Sequence, residues 1–410
     1  MLLNRDRANE KMEEHGFEAL IATSPANVFY TSDVYPYGNS FALLPRDRGV
    51  EPALITPISG ATPVTLMSPP WFPDVRFYGE FYVETRFAEE PLSEAERKLI
   101  EAHDSWEISK ASDPAALLIA VLEERGLAKG RIGVDESNLG HGHPLWGKMR
   151  ESLPRGEAVP ARRVFKEIRM VKTAEEIRRI REATRITESA WEAALDAIRP
   201  GITEREFADI WQKTIVSEGG HSTTYLGVYW PPIAFGRRTA FSDIAQPSDY
   251  KLREGDIIRF DGGATYEGYP CDMARSAVYK EPGKKLKKYW KALWEGKQRA
   301  VGMARPGVRA SEIFHAAVET VRDNGIGHYR RHHVGHGWGI EGYDPPTIGP
   351  RVDTALEEGM VLCFETPYYE VGGPPPRGCR RGGKGEPKIP VDAGGRAPSG
   401  GLREFSRYSL

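Results

Sequence analysis

Three cysteines in 410 residues, Cys271, Cys363 and Cys379, are too few and too scattered for a disulfide framework or a CxxC zinc site. No apolar run approaches the roughly 20 residues that span a bilayer, and the opening Met1-Leu-Leu-Asn-Arg-Asp-Arg lacks the apolar stretch of a secretory signal. Excess charge is missing too. With 56 basic and 58 acidic residues the formal net charge is −2, which argues against a nucleic-acid footprint. What is present is core material: 40% hydrophobic residues and nine Trp exclude global disorder. These features lead us to expect a soluble, cytoplasmic protein of two domains or one large one.

Residues 1–162 read as an α/β domain. Ala19-Leu20-Ile21-Ala22 and Ala53-Leu54-Ile55 are short apolar runs bounded by polar turns, as strands are. Helical spacing from Ala115 stops at Gly126. Nothing in this domain clusters His, Cys and carboxylates. Residues 163–410 form the second domain. Thr173 and Glu176 make a capping-box pattern, and Ile177, Ile180, Thr187, Ala190, Ala194 and Ile198 recur at helical spacing until Pro200-Gly201. Thr203 with Glu206 opens a further helix that ends near Gly219-Gly220.

An internal repeat runs through the second domain. Arg199-Pro200-Gly201-Ile202 returns as Arg305-Pro306-Gly307-Val308, an offset of 106 residues. Leu252-Arg-Glu-Gly255-Asp-Ile-Ile-Arg-Phe260-Asp261 returns as Leu356-Glu-Glu-Gly359-Met-Val-Leu-Cys-Phe364-Glu365, an offset of 104. Two motifs in the same order at nearly the same offset point to two related helix-plus-strand halves about a pseudo-twofold. Each half ends an apolar strand on a carboxylate, Asp261 or Glu365.

Asp261 closes the strand Ile257–Phe260, and Asp272 begins a second strand through Met273, Ala277 and Val278. A hairpin between them brings the aspartates side by side. Such a pair reads as turn aspartates or, with a cation between them, as a metal site. The second half adds His332-His333-Val334-Gly335-His336-Gly337-Trp338-Gly339 and then Glu365. Glycines around His336 would let the backbone approach a ligand. Two Asp, a His and a Glu make a mixed N/O set suited to Mn, Co, Fe or Zn.

Asp261 to Arg275, Gly335-His336-Gly337 and Phe364-Glu365 resemble the metallopeptidase family of prolidase, aminopeptidase P, methionine aminopeptidase and creatinase. Residues Lys166 to Gly201 resemble the helix that opens that family's catalytic domain, and Ala26-Asn-Val-Phe-Tyr-Thr-Ser32 its creatinase-type N-terminal domain. The resemblance covers residues 1 to about 370. It implies a pita-bread α/β fold, a duplicated domain holding one or two divalent metals with Asp261, Asp272, His336 and Glu365 as ligands. It further implies His332 as a substrate contact, a homodimer, and an Xaa-Pro dipeptidase or aminopeptidase activity on small peptides. In a metal-assisted hydrolysis Glu365 or a neighbouring carboxylate would handle the proton, and His332 or His333 would hold the substrate's carbonyl or carboxylate.

Three departures qualify that picture. Relatives carry a histidine between the Phe235-Gly236 segment and the Asp261 strand, but here Phe241-Ser242-Asp243 fills the stretch and no His lies between His221 and His315. Relatives carry another seven residues after the metal histidine, where this chain has Tyr343, a hydrogen-bond donor or a packing residue. Lastly, relatives place a bridging glutamate 11–14 residues after Glu365, and this chain offers Pro376, Arg377, Gly378 and Cys379. From Val371 to Gly401, 16 of 31 residues are Gly or Pro, a composition that cannot build the expected strand. An altered reading frame would produce such a switch. Glu370, Glu386, Asp392 and Cys379 are the replacement ligands on offer. Losing a bridging carboxylate weakens a two-metal site, because two close dications repel. The alternatives are therefore a metal-poor homologue acting as a binding or structural dimer, and a non-peptide C–N hydrolase or lyase on the same fold.

Overall fold

The computed structural model describes residues 1–67, 69–84, 90–137, 139, 144–153, 156–222, 230–244 and 246–371. The chain divides into two units, Met1–Arg169 and the part from Met170 onward. The Gly/Pro-rich segment 372–401, with Cys379, Glu386 and Asp392, lies outside the described residues.

The first unit is a six-stranded sheet with helices. Its strands are β1 (Ala19–Ala22), β2 (Phe41–Pro45), β3 (Ala53–Pro57), β4 (Val75–Tyr78), β5 (Arg131–Val134) and β6 (Glu157–Pro160), ordered β4-β3-β2-β1-β5-β6. All four residues of central β1 are buried, as in a strand covered on both faces. Helices α1 (Arg5–Glu14), α2 (Pro25–Ser32), α3 (Glu94–Ser109), α4 (Pro114–Glu124), α5 (Pro144–Ser152) and α6 (Arg162–Arg169) complete the unit. Leu118 and Leu122 of α4 and Leu145 and Met149 of α5 join Ile21, Leu43, Ile55 and Val134 in its core.

Among the described residues, the second unit holds two helix pairs and three small sheets. The first pair is α7 (Ala174–Asp196) and α8 (Glu204–Ser217), the second α9 (Lys284–Met303) and α10 (Ala310–Asp323). Helices α7 and α8 each begin with a complete capping box, Thr173/Glu176 and Thr203/Glu206. The segment 166–201, which resembles one opening helix, is interrupted: α6 ends at Arg169, Val171 bridges to Met360, and Thr173 caps α7.

Strands β7 (His221–Ser222), β8 (Ile233–Phe235), β9 (Ile257–Gly262), β10 (Ala264–Tyr266), β11 (Tyr269–Pro270) and β12 (Met273–Val278) build the sheets β12-β9-β8 and β11-β10-β7. Strands β13 (Gly335–Gly339), β14 (Gly342–Thr347) and β15 (Leu362–Phe364) build the third, ordered β14-β13-β15. No helix among the described residues is long and apolar enough to cross a membrane.

The sequence repeat is matched bond for bond. Leu252 N donates to Ile202 O at 2.8 Å, and Leu356 N to Val308 O at 2.9 Å. Isolated bridges join Thr203 to Lys251 and Arg309 to Ala355. Gly201 and Gly307 sit at φ 79° and 87°, Gly255 and Gly359 at 85° and 86°, a region that only glycine enters freely.

Alternation along β9 does the positioning. Phe260 points into the core, where it stacks on Trp191 (ring centroids 5.7 Å) and tilts against Trp211 (5.0 Å). Its neighbours Arg259 and Asp261 therefore face the opposite side, into a cavity. Phe260→Ala should cost about 3–5 kcal/mol, read by denaturant unfolding.

Glu176 is fully buried, with Thr173 N donating to Oε2 at 2.8 Å and Tyr269 Oη to Oε1 at 3.1 Å. Burial pushes its carboxyl up to about 7, against the pull of Lys172. A raised acid of this kind contributes stability that is full below its ordinary value of 4.5 and lost as pH rises through about 7. The melting temperature of Glu176→Gln should accordingly fall less than that of the parent chain between about pH 5 and pH 8.

Candidate metal centre

One cavity of about 1700 Å³ in the second unit is lined by Asp261, Asp272, His332, His333, His336, Tyr343 and Glu365, the site residues expected from the family motifs. They do not all converge on one point.

Asp261 lies opposite Ala274 in the β9–β12 ladder, and Asp272 just precedes β12. The aspartates are thus diagonal neighbours, not a direct pair. The Arg259 guanidinium donates to Asp261 Oδ2, donates to Tyr369 Oη at 3.0 Å, and lies over the Tyr369 ring.

His336 sits on β13, the middle strand of its sheet, directly opposite Cys363 of β15. Glycine at 335 and 337 is required by the sheet itself. A Cβ there would lie 2.3 Å from Cys363 O and 2.3 Å from Pro345 O. These glycines make room for neighbouring strands, not for an approaching ligand as the sequence suggests. The close packing leaves His336 only 1% exposed.

Its Nδ1 lies 3.1 Å from Gly337 O, and since a carbonyl only accepts, Nδ1 carries the proton. Nε2 then faces Asp272 Oδ2 at 3.3 Å without hydrogen-bond geometry, a buried nitrogen with no hydrogen-bond partner. Burial lowers the His336 pKa, but the Asp272 carboxylate outweighs it and the net direction is upward. An orphaned buried polar atom costs about 1–3 kcal/mol, so a group that engages it is expected.

Asp272, His336 and Cys363 each bring one donor atom within 4.8 Å of the other two, the only such group among the described residues. Asp272 and His336 therefore meet as expected. Asp261 and Glu365 share the cavity but lie outside this group. Glu365 follows β15 and accepts from Arg331 Nη2 at 3.2 Å. His333 Nδ1 is 3.1 Å from Glu365 Oε1 but out of hydrogen-bond line. Burial first, then the neighbouring His332 and Arg331, lower His333 to about 3, so it is neutral near pH 7.

His332 is exposed and meets His333 edge to face, with centroids 4.2 Å apart. Tyr343 stacks on His336 at 3.6 Å and 19°, which fixes the imidazole plane. Glu370, one replacement candidate, is held by Lys285. The side chains of Ser242 and Asp243, in the stretch where relatives carry a histidine, lie outside the described residues.

Three cavity residues escaped the sequence reading: Arg259, Arg331 and Cys363. Strand alternation was the available signal for two of them, because Arg259 and Cys363 stand two residues before Asp261 and Glu365 and so share their faces.

His336 Nε2, facing the Asp272 carboxylate without a hydrogen bond, together with that carboxylate and a sulfur forms a donor set that fits a divalent cation. Asp272→Ala should weaken metal uptake about tenfold or more. Unchanged metal content by elemental analysis would remove Asp272 from the ligands.

The sequence profile of metallopeptidase family M24 matches residues 178–394. An Xaa-Pro dipeptidase of Pyrococcus furiosus is 34% identical over 206 residues, 50% of this chain and 58% of that protein. One of Pyrococcus horikoshii is 32% identical over 212 residues, 51% of this chain and 59% of that protein. The chain thus spans about three-fifths of the length of these curated relatives. The X-Pro aminopeptidase structure from Thermotoga maritima superposes with a TM-score of 0.70 at 24% identity, covering 90% of this chain and 91% of that one. The Pyrococcus horikoshii prolidase gives 0.67 at 23% identity, covering 91% and 92%. These likenesses show the fold, the pita-bread architecture expected from the resemblance.

Proposed function

The chain belongs to metallopeptidase family M24, and from that membership we propose that it hydrolyses small Xaa-Pro peptides in a metal-dependent reaction, as a dipeptidase or aminopeptidase. The observation that carries this reading is the donor group of buried His336 with half-buried Asp272 and Cys363 in the wall of a large cavity. A bound divalent cation would polarise a carbonyl and bring the pKa of water toward neutrality. Asp272 and His336 are the residues to hold it, and Asp261 and Glu365 stand at the same cavity as further ligands for one or two ions of the Mn, Co, Zn or Fe class.

The remaining roles fall to the chain's own groups. Glu365 takes up and returns the proton, with Arg331 donating to its Oε1 at 3.2 Å. Neutral His333 and exposed His332 offer hydrogen bonds to a substrate carbonyl or carboxylate. Tyr343 acts as a positioning residue that holds the His336 ring.

A metal-poor homologue that binds without cleaving is favoured by one observation: Asp261 and Glu365 are each paired with an arginine. Elemental analysis with a cleavage assay separates the readings. We expect one or two equivalents of divalent metal and release of proline from Xaa-Pro dipeptides, with Xaa-Ala dipeptides cut more slowly. Bound metal with no turnover of any Xaa-Pro peptide would instead favour another C–N hydrolysis or a lyase reaction. Failure to take up metal at micromolar supply would favour the binding protein.

A further inference from the structure

The β13–β15 register sets Cys363 directly across from His336, at the separation where antiparallel side chains touch. The Cys363 sulfur also lies 3.9 Å from the Asp272 backbone carbonyl. Three donors of three kinds, a carboxylate oxygen, an imidazole nitrogen and a sulfur, thereby fall within 4.8 Å of one another. The imidazole Nε2 is buried and faces Asp272 Oδ2 at 3.3 Å without hydrogen-bond geometry. We propose that Cys363 is a sulfur ligand of the metal centre, completing with Asp272 and His336 a three-donor site of mixed O, N and S character. This rests on the metal-dependent reading above.

The chemistry of the set has a direct consequence. Thiolate sulfur is a soft donor that prefers zinc and cobalt(II) to manganese and magnesium, whereas an all-carboxylate and imidazole set is harder. Coordination forms a sulfur–metal bond and releases the thiol proton to solvent, with no oxidant required. The other described cysteine, Cys271, interacts with Thr184 and Thr187 of α7 and is no member of the group.

Cobalt(II) titration of the metal-freed full chain, followed by absorption, tests the assignment. We expect visible ligand-field bands together with a near-ultraviolet sulfur-to-cobalt charge-transfer band. The double variant Cys271→Ser/Cys379→Ser should keep that band. Cys363→Ser should lose it while keeping the visible bands, and should bind zinc about tenfold or more weakly with little change for manganese. X-ray absorption of the zinc-loaded parent chain, which needs no variant to fold, should show sulfur at about 2.3 Å. Visible cobalt bands without charge transfer, a band that survives Cys363→Ser, or zinc without a sulfur neighbour would each overturn the ligand assignment and leave the metal-dependent reading standing. No uptake of cobalt or zinc at all would overturn both.

Discussion

Charge compensation within a strand-walled cavity is the constraint around which the second unit is organised. Asp261, Asp272 and Glu365 are withdrawn from bulk water to different degrees, and His336 is withdrawn almost completely. Charges so placed are costly unless paired. Arg259 meets Asp261 and Arg331 meets Glu365, which balances two carboxylates from within the chain. Asp272 faces an imidazole whose inner nitrogen has no hydrogen bond, and that corner is where an added cation has most to stabilise.

The apolar core holds these groups in place. On β9 the same backbone sends Phe260 against Trp191 and Trp211 and turns Arg259 and Asp261 to the cavity. Buried Phe364, between Cys363 and Glu365, anchors the end of β15 in the core of the second half. Side chains carried on packed strands have few rotamers to choose from, which suits a site that must keep its geometry. Tyr343 adds a second restraint by lying flat on the His336 ring.

Much of this was legible in one dimension because it rests on local rules. Thr173 with Glu176 and Thr203 with Glu206 announce helix starts, and both close as reciprocal caps. The duplicated Arg-Pro-Gly and Gly255/Gly359 motifs announce equivalent turns, and the glycine φ angles of each pair agree within 8°. Arg259 and Cys363 were harder to see. They occupy the same place in the two copies of the repeat, 104 residues apart. In sequence they pass for ordinary strand positions, one a solvated cation and the other an isolated thiol. The glycines beside His336 misled for a related reason, since nothing in the sequence shows that β14 and β15 press on β13 from both sides.

The sequence by itself determined the duplicated architecture, the helix caps, the strands that end on carboxylates and the kinship those motifs carry. These follow from side-chain periodicity and turn chemistry, which act over a few residues. Only the tertiary structure decided which donors meet. Cross-strand register makes Cys363 the neighbour of His336, sets Asp272 diagonal to Asp261, and gives Asp261 and Glu365 to arginines instead of to the group around His336. Register is a long-range property, settled by how sheets and helices pack together, and no local pattern of residues encodes it.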